Sequence, residues 1–136
     1  MQLPDIDFTS NQAVFDHVAA HLLKQGKRCV SDSESDLCQY RKGDMACSIG
    51  CLMTDEEAAI ANRGHDGSGA FLIEEALRFI PTVGERLKRV EFRLLEDLQN
   101  VHDFHGGRHD SVDLRKIWRQ ELERIAEAYS LVWRHG

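Results

Sequence analysis

Apolar residues recur at three-to-four spacing over Val14, Phe15, Val18, Ala19, Leu22 and Leu23, which predicts a helix with one buried stripe. Thr9-x-x-Gln12 reads as its capping box with Phe8 as the hydrophobic staple, so the helix starts near residue 10, and Gly26 supplies a left-handed cap at the far end. A second helix is announced over about 54–62 by Thr54-Asp-Glu-Glu57: Thr54 accepts from the Glu57 amide while the Glu57 carboxylate reaches back. Residues 70–80 read as a third helix stopped by Pro81, with Thr82, Val83 and Gly84 as punctuation. The longest helix is predicted over about 85–104, with Leu87, Val90, Phe92, Leu94, Leu95, Leu98 and Val101 as a broad apolar face. The last runs over about 112–132, entered through Asp110 or Ser111, with Leu114, Ile117, Trp118, Leu122, Ile125, Ala126 and Tyr129 facing inward.

One stretch breaks this helical pattern. From Cys38 to Glu57 the chain carries three of its four cysteines, and Met45 to Met53 is an uncharged run that must be buried. At nine residues it fits a buried strand or a short buried helix equally, and in the helical case Cys47 and Cys51 lie one turn apart. The expected fold is therefore mainly α, a single compact domain over residues 1–136 with four to five helices and room for a short β-hairpin around residues 38–53. Residues 1–8 form a lead-in. Residues 27–37, with the acidic run Ser31 to Asp36, and residues 62–69, with three glycines in six residues, read as loops. A lid over a ligand is the functional alternative for residues 62–69.

Composition narrows the class. A chain of 136 residues with 42% apolar and 29% charged residues can build one core and is ordinary for a globular protein. No apolar run approaches the roughly 18 residues that span a bilayer, and the first residues lack the pattern of a signal peptide, so the expectation is a cytoplasmic protein without membrane association. Thiols stay reduced there, and four cysteines point to buried thiols, a metal site or a reactive thiol before disulfides. The net charge of −6 argues against a nucleic-acid coat. The basic clusters at residues 86–89 and 115–119 are interleaved with acids at helical spacing and read as solvated faces.

Four constellations carry candidate chemistry. Cys38, Cys47 and Cys51, with His102 or His105 as fourth ligand, have the donor types of tetrahedral zinc, although the Cys-x8-Cys-x3-Cys spacing only half meets that of structural sites; no cofactor is favoured over plain buried thiols. Cys47 or Cys51 as nucleophile, His102 as base and Asp103 or Asp110 as its orienting acid have the residue types of a thiol enzyme, against which stands the apolar company of both cysteines. Tyr40 and Arg41 offer an aromatic beside a planar cationic fork, suited to a small anionic or nucleotide-like ligand or a protein partner; Asp55 and Glu56 are either part of that site or the carboxylates that tie Arg41 down. The histidine-rich stretch from His102 to Asp110 forms either a metal or proton-active rim or a simple helix terminus. His17 and His21, one turn apart on the first helix with no Glu between them, read as ordinary, partly exposed positions.

Cys38, Tyr40, Arg41, Gly43, Cys47, Gly50, Cys51, Asp55 and Glu56 form a pattern continued by Leu95, Leu98, Gln99, His102 and Asp103 and then by Trp118, Leu122, Ile125 and Ala126. The whole, spanning roughly residues 12–131, resembles a family of small proteins common in bacterial and phage genomes, for which no activity is established. The chain departs from it at Ala58, where the family pattern has a Tyr near the Asp-Glu pair, and in residues 105–110. The resemblance implies no catalytic roles. The expected function is a small cytosolic binding or regulatory module, phage- or prophage-borne, with a cysteine-dependent hydrolase or transferase and a zinc-stabilised structural domain as alternatives.

Overall fold

The computed structural model describes residues 5–29, 39–64, 71–103 and 113–135. Within them the chain is mainly helical with one two-stranded antiparallel sheet. Helix α1 (Asn11–Gln25) begins at Ser10, whose hydroxyl accepts from the Ala13 amide. The predicted cap at Thr9 is thus one residue early, because the Thr9 amide and hydroxyl both turn back to the Asp7 carboxylate. The helix ends at Gly26 in the left-handed conformation, with φ at 72°.

Strands β1 (Arg41–Lys42) and β2 (Met45–Ala46) pair around Gly43 and Asp44, Arg41 opposite Ala46. Cys47 to Leu52 then curls into a turn ending in a 3-10 helix (Gly50–Leu52), so the uncharged run starts as strand, turns, and closes as a single 3-10 turn. Helix α2 (Asp55–Arg63) opens with the predicted reciprocal box between Thr54 and Glu57.

The predicted helices over 70–80 and 85–104 become three. Helix α3 (Ile73–Phe79) gives way at Ile80 to α4 (Pro81–Leu87), with Pro81 in the first turn, where its missing N–H is harmless. Gly84 is inside α4 rather than before a helix: a Cβ there would fall 2.2 Å from the Leu77 carbonyl oxygen, so its bare backbone lets α4 press against α3. The chain turns at Lys88 to Val90, the Asn11 side chain accepts from the Glu91 amide at 3.1 Å, and α5 (Phe92–Asp103) starts only there. Phe92, predicted inward, is one of the exposed large apolar residues. Helix α6 (Arg115–Ala128) is shorter than predicted at both ends. The Asp113 carboxylate accepts from the Arg115 amide at its start, and Ser130 at φ 56° ends it, with the Leu131 amide returning to the Ala126 carbonyl.

The buried side chains form one cluster in which α1 packs against α5 and α6, with Trp118, Phe15, Leu98 and Leu122 fully enclosed. The proposed lead-in contributes Ile6 and Phe8 to its edge. Residues 1–4, 30–38, 65–70, 104–112 and 136 lie outside the described residues, and with them Cys38, His105, Asp110, Ser111, most of both predicted loops and most of the histidine-rich stretch.

Glu57 joins the capping box to the α4 side of the molecule. Burial acts to raise its pKa, but Arg86, bound through both oxygens at 2.7 and 2.9 Å, the Thr82 hydroxyl and the Thr54 amide outweigh it and bring it down to about 2. A carboxyl that holds its proton less tightly when folded stabilises the fold above the ordinary value of 4.5 and loses that contribution as pH falls toward 2. Urea melts between those limits should show wild type losing stability faster than Glu57→Gln, the gap closing at the acid end. Parallel curves would show that the Arg86 pairing adds nothing.

Candidate functional site

The cysteine segment is a knot of backbone contacts tied by side chains from every neighbouring element. Gly50 stacks directly on β1: a Cβ at Gly50 would lie 1.7 Å from the Tyr40 carbonyl oxygen, which also accepts from the Cys47 amide at 3.1 Å. Asn62 on α2 clamps the strand by accepting from the Tyr40 amide and donating to the Arg41 carbonyl, each at 2.7 Å. From α5, the Leu98 carbonyl accepts the Ser48 hydroxyl at 2.6 Å and the Gln99 side chain accepts from the Ile49 amide at 3.3 Å.

Tyr40 and Arg41 both point into this knot. The Tyr40 hydroxyl is buried and donates to the Phe71 carbonyl at 2.6 Å; burial pushes its pKa far up. Arg41 is only 9% exposed. It pairs with Asp55, and its second terminal nitrogen donates to the carbonyls of Gly50 and Met53, both at 2.7 Å. Of the two readings of Arg41, the structure has the one in which Asp55 and the loop tie it down. The Gly50 carbonyl also accepts the Met53 amide at 3.1 Å, whereas the Met53 carbonyl has no backbone donor among the described residues, and a guanidinium can serve both together with a carboxylate. Asp55 is 59% exposed and Glu56 is also exposed, on the first turn of α2. Arg41, Gly43, Asp44, Asp55 and Asn62 line a shallow cleft of about 340 Å³ in which two carboxylates face one already paired cation.

Cys47 and Cys51 lie one turn apart, the Cys51 amide donating to the Cys47 carbonyl. Both thiols are buried. The Cys47 sulfur accepts from the Gly50 amide at 3.2 Å and the Cys51 thiol donates to the Ser48 carbonyl at 3.1 Å. Burial raises the Cys47 pKa well above the usual range and the Cys51 pKa to about 12. Cys29, buried as well, is raised to about 11 by the same cause. Alkylation of the native protein at neutral pH, read out by peptide mass mapping, should therefore leave Cys29, Cys47 and Cys51 at least about a hundredfold slower than in the unfolded chain. Rapid native labelling of Cys47 or Cys51 would support a nucleophile.

His102 is fully buried, stacked on Trp118 at a ring distance of 5.8 Å. Its Nε2 accepts the Cys29 amide at 2.7 Å, so the ring proton sits on Nδ1 and is donated to Asp103 at 2.8 Å. The His-Asp pair predicted for a base is thus assembled, but the lone pair that would take a proton is engaged by backbone, and neither Cys47 nor Cys51 hydrogen-bonds to the ring among the described residues. No group of three His, Cys, Asp or Glu side chains placed to share a metal occurs among the described residues; Cys38 and His105 are outside them.

Two contributors are illegible in the sequence pattern. His17 and His21, predicted as ordinary helix positions, face the cysteine segment: their Nε2–H groups donate to the Cys51 carbonyl at 3.3 Å and the Ala46 carbonyl at 2.9 Å. Burial lowers both pKa values, favouring the neutral rings. Their spacing was the available signal, and it signified two carbonyls rather than one metal.

The second is a groove of about 830 Å³ between α5 and α6. Val101, Ile125, Ala128 and Tyr129 supply its apolar lining, and Asp97, Asn100, Glu121, Arg124 and Glu127 its polar side chains. The Tyr129 hydroxyl donates to Asp97 at 2.6 Å, its pKa raised to about 12 by burial and by that carboxylate. Arg124 pairs with Glu121 at 3.0 Å, leaving the groove with an excess of negative charge. Of these residues Val101, Ile125 and Tyr129 belong to the apolar stripes predicted to face the core.

A scan against family models finds no match to this chain, and neither a search of curated proteins nor one of solved structures finds a relative. No helix among the described residues is long and apolar enough to cross a membrane.

Proposed function

We propose that this protein is a small cytosolic docking module that binds a partner protein, and that the groove between α5 and α6 is the seat. The observation that carries the reading is that groove: an open apolar cleft with three carboxylates against one guanidinium. An amphipathic helix with a basic polar face has the matching chemistry, its apolar side chains covering Val101, Ile125 and Ala128 and its Lys or Arg meeting Asp97, Glu121 and Glu127. The resemblance over residues 12–131 supports placing the module among small bacterial or phage proteins. A small anionic ligand at Arg41 is less well supported, since Asp55 offsets its charge and Asp44 lines the same cleft. A thiol enzyme would need a base to reach a buried, high-pKa thiol, and His102 is committed to the Cys29 amide.

The test uses a labelled synthetic helix of about fifteen residues, leucine on one face and lysine on the other, with a leucine and glutamate counterpart. The basic peptide should bind saturably, weaken as salt rises, and lose at least about tenfold in affinity to Ala128→Arg, which fills the groove from an exposed position. Equal binding of the acidic peptide, or unchanged binding by the variant, would overturn the reading.

A further inference from the structure

The segment after α6, residues 131–135, is neither helix nor strand and lies across α1. Among the described residues its only backbone–backbone hydrogen bond is the one from Leu131 back to α6; from Val132 onward it is held by side chains. The Gln12 amide reads the main chain of Val132 twice, accepting from its N–H at 2.8 Å and donating to its carbonyl at 2.9 Å. The Trp133 ring meets the edge of Phe15 at 6.3 Å and the Arg119 guanidinium at 5.9 Å. Asp16 takes Arg134 at 3.6 Å and His135 at 3.2 Å, and Arg119 donates to the His135 carbonyl at 3.0 Å.

This division of labour is that of a peptide-binding site. One amide pairs with both main-chain polar atoms irrespective of side chain, an aromatic slot accepts one ring, and a carboxylate accepts from the guanidinium and the imidazole that follow. Val132 itself is 56% exposed, while Leu131 and Trp133 are partly buried at the edge of the core and His135 meets the Phe15 ring. The turn that delivers it passes through Ser130 at φ 56°, a conformation that a residue with a Cβ adopts reluctantly.

We propose that the α1 edge formed by Gln12, Phe15 and Asp16, with Arg119 of α6, is a linear-peptide site filled in cis by residues 131–135, and that it accepts in trans a partner protein's segment carrying an aromatic residue followed by basic ones. The committed occupant is a different protein rather than a second copy. An identical segment from another copy makes the same contacts and competes against a tethered one whose effective concentration is in the millimolar range, roughly. A foreign segment meets the same tethered competitor but can outcompete it through a better fit, which an identical segment cannot have. This surface is separate from the α5–α6 groove, and its test does not depend on that reading.

The experiment measures anisotropy of a labelled peptide copying residues 130–136. The host is the full chain with Val132→Pro, which deletes the N–H that Gln12 accepts while leaving the site intact, and in parallel the full chain with Trp133→Ala. Either loosened chain should bind the peptide at least about tenfold tighter than wild type, and adding Gln12→Ala or Asp16→Asn should remove that gain. A peptide with Trp replaced by Ala, or with its basic residues replaced by Glu, should not compete. No saturable binding to either variant, binding indifferent to Gln12→Ala and Asp16→Asn, or loss of cooperative folding in both variants would overturn the proposal, the last by making the segment part of the core. Concentration-dependent dimers of the wild-type chain that the free peptide dissociates would overturn the choice of a foreign partner in favour of a second copy.

Discussion

Gly50→Ala is expected to destabilise the protein by more than about 3 kcal/mol, because no rotamer change can relieve the clash it creates. The added carbon would sit 1.7 Å from a backbone oxygen, that of Tyr40, rather than against the far end of a flexible side chain. Relief requires β1 to move off the 3-10 turn. That movement would stretch the Cys47 amide bond to the same oxygen and draw Arg41 away from the Gly50 and Met53 carbonyls. Chemical denaturation reads the loss directly, and native alkylation gives an independent signature, since Cys47 and Cys51 should become reactive where wild type protects them. A variant within about half a kcal/mol of wild type would mean that the strand and turn are not in contact.

Arg41→Ala should cost about 2 kcal/mol, through the Met53 carbonyl it orphans and the second bond it removes from the Gly50 carbonyl more than through the ion pair it breaks. The Asp55 partner is more than half exposed, so that pair is partly screened and contributes little by itself. Both carbonyls are buried against the guanidinium; that of Gly50 keeps the Met53 amide as a partner, while that of Met53 has no backbone donor among the described residues. Arg41→Lys should recover less than half of the loss, because one ammonium cannot serve two carbonyls and a carboxylate in this fork geometry. The outcome separates the two readings of the Tyr-Arg pair: an arginine that acts by presenting its charge to solvent would leave denaturation midpoints unchanged on truncation. The Arg41 Nε is buried with no hydrogen-bond partner among the described residues, which marks the side chain as held for its terminal nitrogens.

The sequence by itself determined whatever depends on residues within about one helical turn of each other. The Thr54 and Glu57 box, the left-handed end of α1 at Gly26, and the buried stripes Val14 to Leu22 and Leu114 to Ala126 are all of this kind, since capping and helical periodicity are local interactions. The hairpin around residues 38–53 was legible only as one option, because a short apolar run fits strand and helix alike. Tertiary structure decided the rest. The helix expected over 85–104 breaks where Asn11, eighty residues earlier in the chain, accepts the Glu91 amide, and no pattern near residue 91 encodes that partner. Arg41 turns inward because the 3-10 turn brings the Gly50 carbonyl beside that of Met53, which has no backbone donor among the described residues. His17 and His21 become clasps because β2 and the cysteine turn bring two carbonyls to their face of α1. His102 offers the residue type of a base, yet its lone pair goes to the amide of Cys29, seventy-three positions away. The groove between α5 and α6 belongs to neither helix alone: its lining alternates between them, so it exists only once they pack. Periodicity identifies which side chains leave water, while the partner that each buried polar group finds is set by chain segments far apart in sequence, and in this protein the candidate chemistry rests on those partners.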